Sequence, residues 1–488
     1  MRLPALLLIL AVALVPGGCR QKPVGTVKAI VIGSEPRLVD PAEGQLGPGD
    51  EVLLANVAQG LVRFDAAGNI VPGIAERWNV SDDGLSYIFR IAETQWPDKK
   101  KVTAPQVAKL LKREISASSN NPLKDTLGAV GDIVAMTDRV IEIQLRAPRP
   151  NLLNLLAQPE FAVLRGGYGS GPFAIAAKRG PAGELSLERE VIGADGEQNS
   201  REQVLLAGGA PQAAIDAFVA AKADLVLGGT YLDLPLARRA KLPRNSLVFD
   251  PASGLFGLVP THSGGPLDKP EVRQLLSQAI DRGAIASAAG APGLALRATV
   301  LEPGLENMPA PAVPPWMGVG LDQRRAGLTA AANKLLGPKD KPAIRVALPP
   351  GAGSDLLFAE LGRDWGAIGL KVERASNAAS ADFVLIDAVA PSTSAAWFLR
   401  HFRCEAVPVC DPEADKLLDA ARETVIPAQR AALLAEAATR IDAAELFLPI
   451  AAPVRWSLVS GRIQGFVGNR YARHTLTDLE QRPGSRDS

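Results

Sequence analysis

The sequence predicts a mixed α/β fold in more than one domain, on three observations. Short β-branched or aromatic runs alternate along the chain with stretches of helical spacing. The 488 residues are 47% hydrophobic and 22% charged, a globular balance with length enough for two or three domains. The alternation carries no Rossmann fingerprint and no Walker loop, since Gly351 and Gly353 are followed by no third glycine and no Lys-Ser/Thr pair.

Taken in order, 27–33 is a β-branched run closed by polar residues and an Asp40-Pro41 turn. Residues 51–60 have helical spacing with a glycine at the end. A strand over 61–65 and a turn at 66–69 lead into a second hydrophobic stretch that reaches Trp78. Asp82, Asp83 and Gly84 make a hairpin-type turn, after which Tyr87, Phe89 and Ile91 alternate as strand residues do. Thr103 stands before a helix that tolerates Pro105 in its first turn and presents Val107, Leu110 and Leu111 as an apolar face. Alternation returns over 133–145. The proline-rich stretch 302–316 reads as an extended, rigid surface loop.

Composition narrows the function. With 53 basic against 52 acidic side chains, the chain lacks the basic surface that nucleic acid demands. Aromatics at 5% argue against a stacking platform for sugars or bases, unless Trp78, Trp96, Trp316, Trp365, Trp397 and Trp456 converge. Histidine occurs only at 262, 401 and 474, too few for a zinc site or for haem or nickel ligation to be expected. No Gly-x-Ser-x-Gly elbow, HExxH or Ser-x-x-Lys frame stands out, so a hydrolase is not expected; Ser170, between two glycines, is the nearest thing to a nucleophile.

The first residues set the compartment. Arg2, an apolar run over 6–15, then Pro16, Gly17, Gly18 and Cys19 form a secretory signal too short to span a bilayer as a mature helix. Two small residues before a cysteine suit lipoprotein processing of the 1–19 signal segment, with cleavage directly before Cys19 leaving it as a lipid-bearing N-terminus. Pro16 departs from the leucine-like residue usual there, and an ordinary secreted protein cleaved nearby is the alternative. Either way the expected location is the periplasm or cell envelope, with the lipid at Cys19 as membrane anchor. In such an oxidising compartment Cys404 and Cys410, with five residues between them including Pro408, are able to close a small disulfide loop. A metal reading is poorer, because His401 is the one histidine nearby.

Five stretches carry a more specific signal: NVAQGLVRFDAAGNIVPGIAERWNVSDDGLSYIFRI (56–91), WPDKKKVTAPQVAKLLKR (96–113), GSGPF (169–173), PLDKPEVRQLLSQAIDRGAI (266–285) and DKLLDAARETVIPAQRAALLAEAATRIDAAELFLPIA (415–451). In content and order they resemble the peptide-binding family of bacterial extracellular solute receptors. The 266–285 helix is the most diagnostic. Asp98-Lys99 stands where that family has Asp-Gly, and the Asn that commonly precedes the Pro-Phe segment is missing from FGLVPTHSGGPLD.

The resemblance implies a pear-shaped periplasmic binding protein of two lobes and a hinge. Domain I would comprise 25–50, 165–257 and 458–488, domain II 51–164 and domain III 258–457. It implies a monomer that is not an enzyme, needs no cofactor, and delivers a peptide to the permease and ATPase subunits of an ABC importer. A non-peptide solute (nickel, haem or sugar), or a lipoprotein scaffold that transports nothing, is the alternative. The family supplies an aspartate a few residues before a proline as partner of the peptide ammonium. In VLIDAVAPSTSAAWFL this is Asp387, with Trp397 in the neighbouring pocket, although Asp387 is equally able to end a strand and cap a turn.

Overall fold

The structure is a computed structural model that describes residues 25–192, 199–262, 264–339 and 341–481, so the expected signal segment and lipid site at Cys19 lie outside the described residues. Three sheets organise it. The first has seven strands in the order Leu247–Phe249, Arg455–Val459, Leu225–Thr230, Val27–Ile32, Asn199–Gly209, Leu185–Ile192 and Ala174–Ile175. Val27–Ile32 pairs in parallel with both neighbours, and both its faces are covered. Val27, Ala29 and Val31 pack toward Leu53 and Val57 of the Pro48–Val57 helix. Ile30 and Ile32 face a core that includes Ile215 and Phe218 of the Pro211–Val219 helix. Burial on two sides is why this run shows no clean polar alternation.

The second sheet is antiparallel, in the order Ala75–Val80, Ser86–Ile91, Val140–Leu145 and Val130–Thr137. One face is dry, and Tyr87, Phe89, Ile91, Ile141 and Ile143 bury there against Val107, Ala108 and Leu111 of the Ala104–Glu114 helix. The expected alternation over 133–145 is a hairpin, turning at Asp138 and Arg139. Trp96 fills the same core, its indole N–H donating to Gln106 Oε1 at 3.0 Å.

The third sheet runs Val372–Arg374, Ile344–Ala347, Phe383–Val389, Gly254–Pro260 and Leu448–Ala451. Its central Gly254–Pro260 strand is buried at every residue. On one side lies the Pro270–Ala279 helix and the Arg282–Ala289 helix that follows it. Asp281 between them caps Ala284 N at 2.9 Å, while the buried Arg282 donates to the carbonyls of Pro449 and Arg297 at 2.8 Å. The Ile-Asp-Arg sequence is thus a helix break whose arginine ties two elements to the sheet. On the other side pack Ala395–Arg400, Pro412–Glu423 and Pro427–Ala443.

Two short crossings join the first and third sheets, 250–253 outward and 452–454 back. Paired crossings of this length leave the bodies few shared bonds along the chain, which is the layout of a hinge. The GSGPF turn also has a packing origin: a Cβ on Gly169 or Gly171 would fall within 2.5 Å of backbone at Val57 and Ala58. Among the described residues, no helix is long and apolar enough to cross a membrane.

Candidate functional site

A cavity of about 970 Å³ opens between the body of the second sheet and the helical side of the third. One wall comes from the Lys124–Leu127 turn and from Arg146, Arg149 and Asn151, which leave the Val140–Leu145 strand. The other comes from Trp397 and Arg400 on the Ala395–Arg400 helix, His401, and the two long helices behind them. The walls touch at the closed end. Asn151 Nδ2 donates to Ser392 Oγ at 2.9 Å, Gln158 Nε2 to the Pro391 carbonyl at 2.7 Å, and Arg149 Nη2 to the Arg422 carbonyl at 2.9 Å.

Seven Lys or Arg side chains and three Asp or Glu side chains line the space. Two of those carboxylates, Glu405 and Asp419, pair with Arg403. Burial, reinforced by the like charge of Arg430, pulls the Arg149 guanidinium down to about 10. Burial and then the neighbouring Arg400 pull His401 down to about 4, so its ring is neutral at physiological pH. His401 Nδ1 lies 2.8 Å from the Trp397 carbonyl, and the two rings meet edge to face at 4.6 Å. Cys404 and Cys410 are joined as a disulfide with Cα atoms 5.1 Å apart, closing the loop that carries the rim residues Glu405 and Ala406.

Asp387 and Trp397, expected as neighbours, are not brought together. Trp397 stands in the cavity wall, and Asp387 is absent from the lining. Asp387 lies instead on the Phe383–Val389 strand opposite Phe256, where its Oδ1 accepts from Arg455 Nη1 at 2.7 Å. Arg455 belongs to the first sheet, so this pair bridges the crossings. Burial pushes the Asp387 carboxyl above the usual carboxylate range against the pull of Arg455. Nor do the tryptophans converge: Trp96 sits in the core of the second sheet, and Trp365 and Trp456 are in that shared by the first and third. Sequence reasoning missed the cavity arginines, and the cationic runs RAPRP (146–150) and RHFR (400–403) were the available signal.

A second arginine centre lies at the seam of the first two sheets. Arg473 pairs with Glu51, with Glu160 at 3.0 Å, and with Gln158 Oε1 at 3.2 Å. Burial opposes its charge, yet Glu51 and Glu160 hold it above its ordinary value. Among the described residues, no cluster of three or more His, Cys, Asp or Glu is placed to hold a metal.

The fold and cleft define a solute receptor of the hinged, two-lobed class. The chain belongs to the bacterial extracellular solute-binding proteins, family 5, whose family model matches residues 69–383. This places it among substrate-binding proteins of ABC import rather than among enzymes. It is 24% identical to a probable di/tripeptide-binding protein 5 of Pseudomonas aeruginosa, over 86% of this chain and 88% of that one. In fold it is similar to Haemophilus influenzae OppA in complex with RPPGFSPFR (TM-score 0.75, 17% identity, 94% of this chain and 99% of that). The Escherichia coli murein tripeptide binding protein MppA matches equally well (TM-score 0.76, 17% identity, 94% and 99%). NikA from Brucella suis in complex with Fe(III)-EDTA shares the fold at a TM-score of 0.74 and 14% identity, over 93% of this chain and 100% of that one.

Proposed function

We propose that the chain captures peptides in the interlobe cavity and presents them, lobes closed, to the permease and ATPase subunits of an ABC importer. The observation that carries this reading is a cavity of about 970 Å³ whose walls belong to two bodies. A ligand there is desolvated from both sides, so its binding energy favours closure. The volume lies at the upper end of small-ligand sites and accommodates a short peptide. Relatives named for peptides support the choice of solute, and one named with an iron chelate keeps a non-peptide solute as the competing reading.

In this reading domains I, II and III follow the three sheets, the protein acts as a monomer, and lipid on Cys19 holds it to the membrane. Trp397 contributes to the apolar part of the cavity wall, beside Leu155, Leu418 and Leu434. Asp387 takes the peptide ammonium only by releasing Arg455. Calorimetry with defined tri- to pentapeptides tests the proposal. Saturable binding near micromolar is expected; binding of a nickel or iron chelate, a sugar or haem with no peptide bound would overturn it.

A further inference from the structure

Six of the cavity's seven cations make no ion pair among the described residues, and of the five arginines in that group Arg149, Arg400 and Arg430 are the part-buried ones. Among the described residues, Arg149, Arg400 and Arg430 make no ion pair, in contrast to Arg403 in the same wall. Arg149 reaches only the carbonyls of Pro148 and Arg422. Arg400 makes no side-chain hydrogen bond, and Arg430 Nε is buried with no partner. The three come from the second-sheet body, the Ala395–Arg400 helix and the Pro427–Ala443 helix, so both walls contribute. Arg149 and Arg430 repel one another across the gap. Burial holds each of the three below the usual guanidinium range, with Asp125 the opposing influence on Arg400 and Glu306 on Arg430.

A buried structural guanidinium has either a carboxylate or a full set of carbonyl acceptors, as Arg282 has in Ser277, Arg297 and Pro449, because a desolvated charge without them is costly. A guanidinium left with free N–H groups facing a cavity is instead a carboxylate receptor, since its planar fork matches a carboxylate's two oxygens. We infer that the solute carries anionic groups, and that an acidic peptide, its side-chain carboxylates held by Arg149, Arg400 and Arg430, is the substrate class of this receptor. The peptide half rests on the function proposed above; the anionic half rests on the cavity alone.

Calorimetry on the purified protein with triglutamate, trialanine, trilysine and citrate, the last a carboxylate-rich solute with no peptide bond, separates the two halves. Triglutamate is expected to bind about tenfold or more tightly than trialanine, and trilysine weakest of the three. Raising salt should weaken triglutamate while leaving trialanine nearly unchanged. Arg149→Gln and Arg400→Gln should each weaken triglutamate about tenfold and trialanine less than about twofold. Trialanine bound as tightly as triglutamate overturns the anionic assignment while the peptide function stands. Citrate bound with no peptide overturns the peptide function while the anionic assignment stands. Triglutamate affinity indifferent to both substitutions, or no anion bound at all, overturns the role of the arginines. If a variant fails to fold, the ranking of the four solutes on the native protein decides.

Discussion

Arg473 and the trio Arg149, Arg400 and Arg430 are arginines buried to comparable purpose in one molecule, and they are treated in opposite ways. Arg473 is surrounded by Glu51, Glu160 and Gln158, and its carboxylates reach it from two different parts of the chain. The trio faces a cavity and makes no ion pair, with carbonyls as the acceptors of Arg149. The difference separates two uses of one side chain. A guanidinium that fastens the fold has its acceptors supplied, carboxylates for Arg473 and carbonyls for Arg282; one left for a solute keeps donors unused.

The largest effect that would break this comparison is on stability. Arg473→Met leaves Glu51 and Glu160 buried and unpaired and is expected to cost about 3 to 5 kcal/mol in urea unfolding. Arg400→Met, which strands no carboxylate, should stay within about 0.5 kcal/mol of the native protein. Equal costs at the two sites would end the distinction.

Asp387 offers an intermediate case. Its pairing with Arg455 makes it a fastener between the first and third sheets, whatever it does with a ligand. Asp387→Asn should therefore cost roughly 2 to 3 kcal/mol, measured by the same unfolding titration, because Arg455 loses its counter-charge. If Asp387 also takes a peptide ammonium, N-acetylating the peptide weakens binding to the native protein, and a peptide indifferent to acetylation leaves Asp387 purely structural.

The smallest effect concerns a carboxylate without a cation. Asp442 accepts from Val300 N at 2.8 Å, and burial pushes its carboxyl up to about 7. The folded protein therefore holds a proton there that the unfolded chain releases near pH 4. The stabilisation linked to this group is complete below about pH 4 and is lost as pH rises through about 7. Asp442→Asn, which retains the acceptor oxygen, should be more stable than the native protein by about 1 to 2 kcal/mol at pH 8 and equal to it near pH 4. Thermal melts across that range read the divergence, and parallel curves would mean that Asp442 is ionised throughout.

How far the sequence disclosed this arrangement depends on the reach of each signal. The Ser86–Ile91 strand and the Ala104–Glu114 helix are local: Tyr87, Phe89 and Ile91 alternate onto one dry face, and Pro105 sits in the first helical turn. The alternation over 133–145 spans two strands, because a tight turn at Asp138 and Arg139 divides the stretch without breaking its apolar pattern. The site is a different matter. Asp387 could be placed on a strand end, but its partner Arg455 is 68 residues away, and no periodicity connects the two. Arg149, Arg400 and Arg430 come from three separate segments, and what distinguishes them is that no carboxylate among the described residues comes within ion-pair distance, a property of packing that residue spacing does not encode.

The position of Val27–Ile32 in the middle of the seven-stranded sheet dictates an order of folding. The second sheet draws all its strands from 75–145 and is able to close as soon as that stretch is available. Val27–Ile32 must wait for its parallel neighbours Asn199–Gly209 and Leu225–Thr230, and the latter is covered only when Arg455–Val459 arrives. Contacts of such long range are slow to form, because the intervening loops must close before any pairing rewards them. The first strand of the sheet in chain order is therefore among the last to be locked.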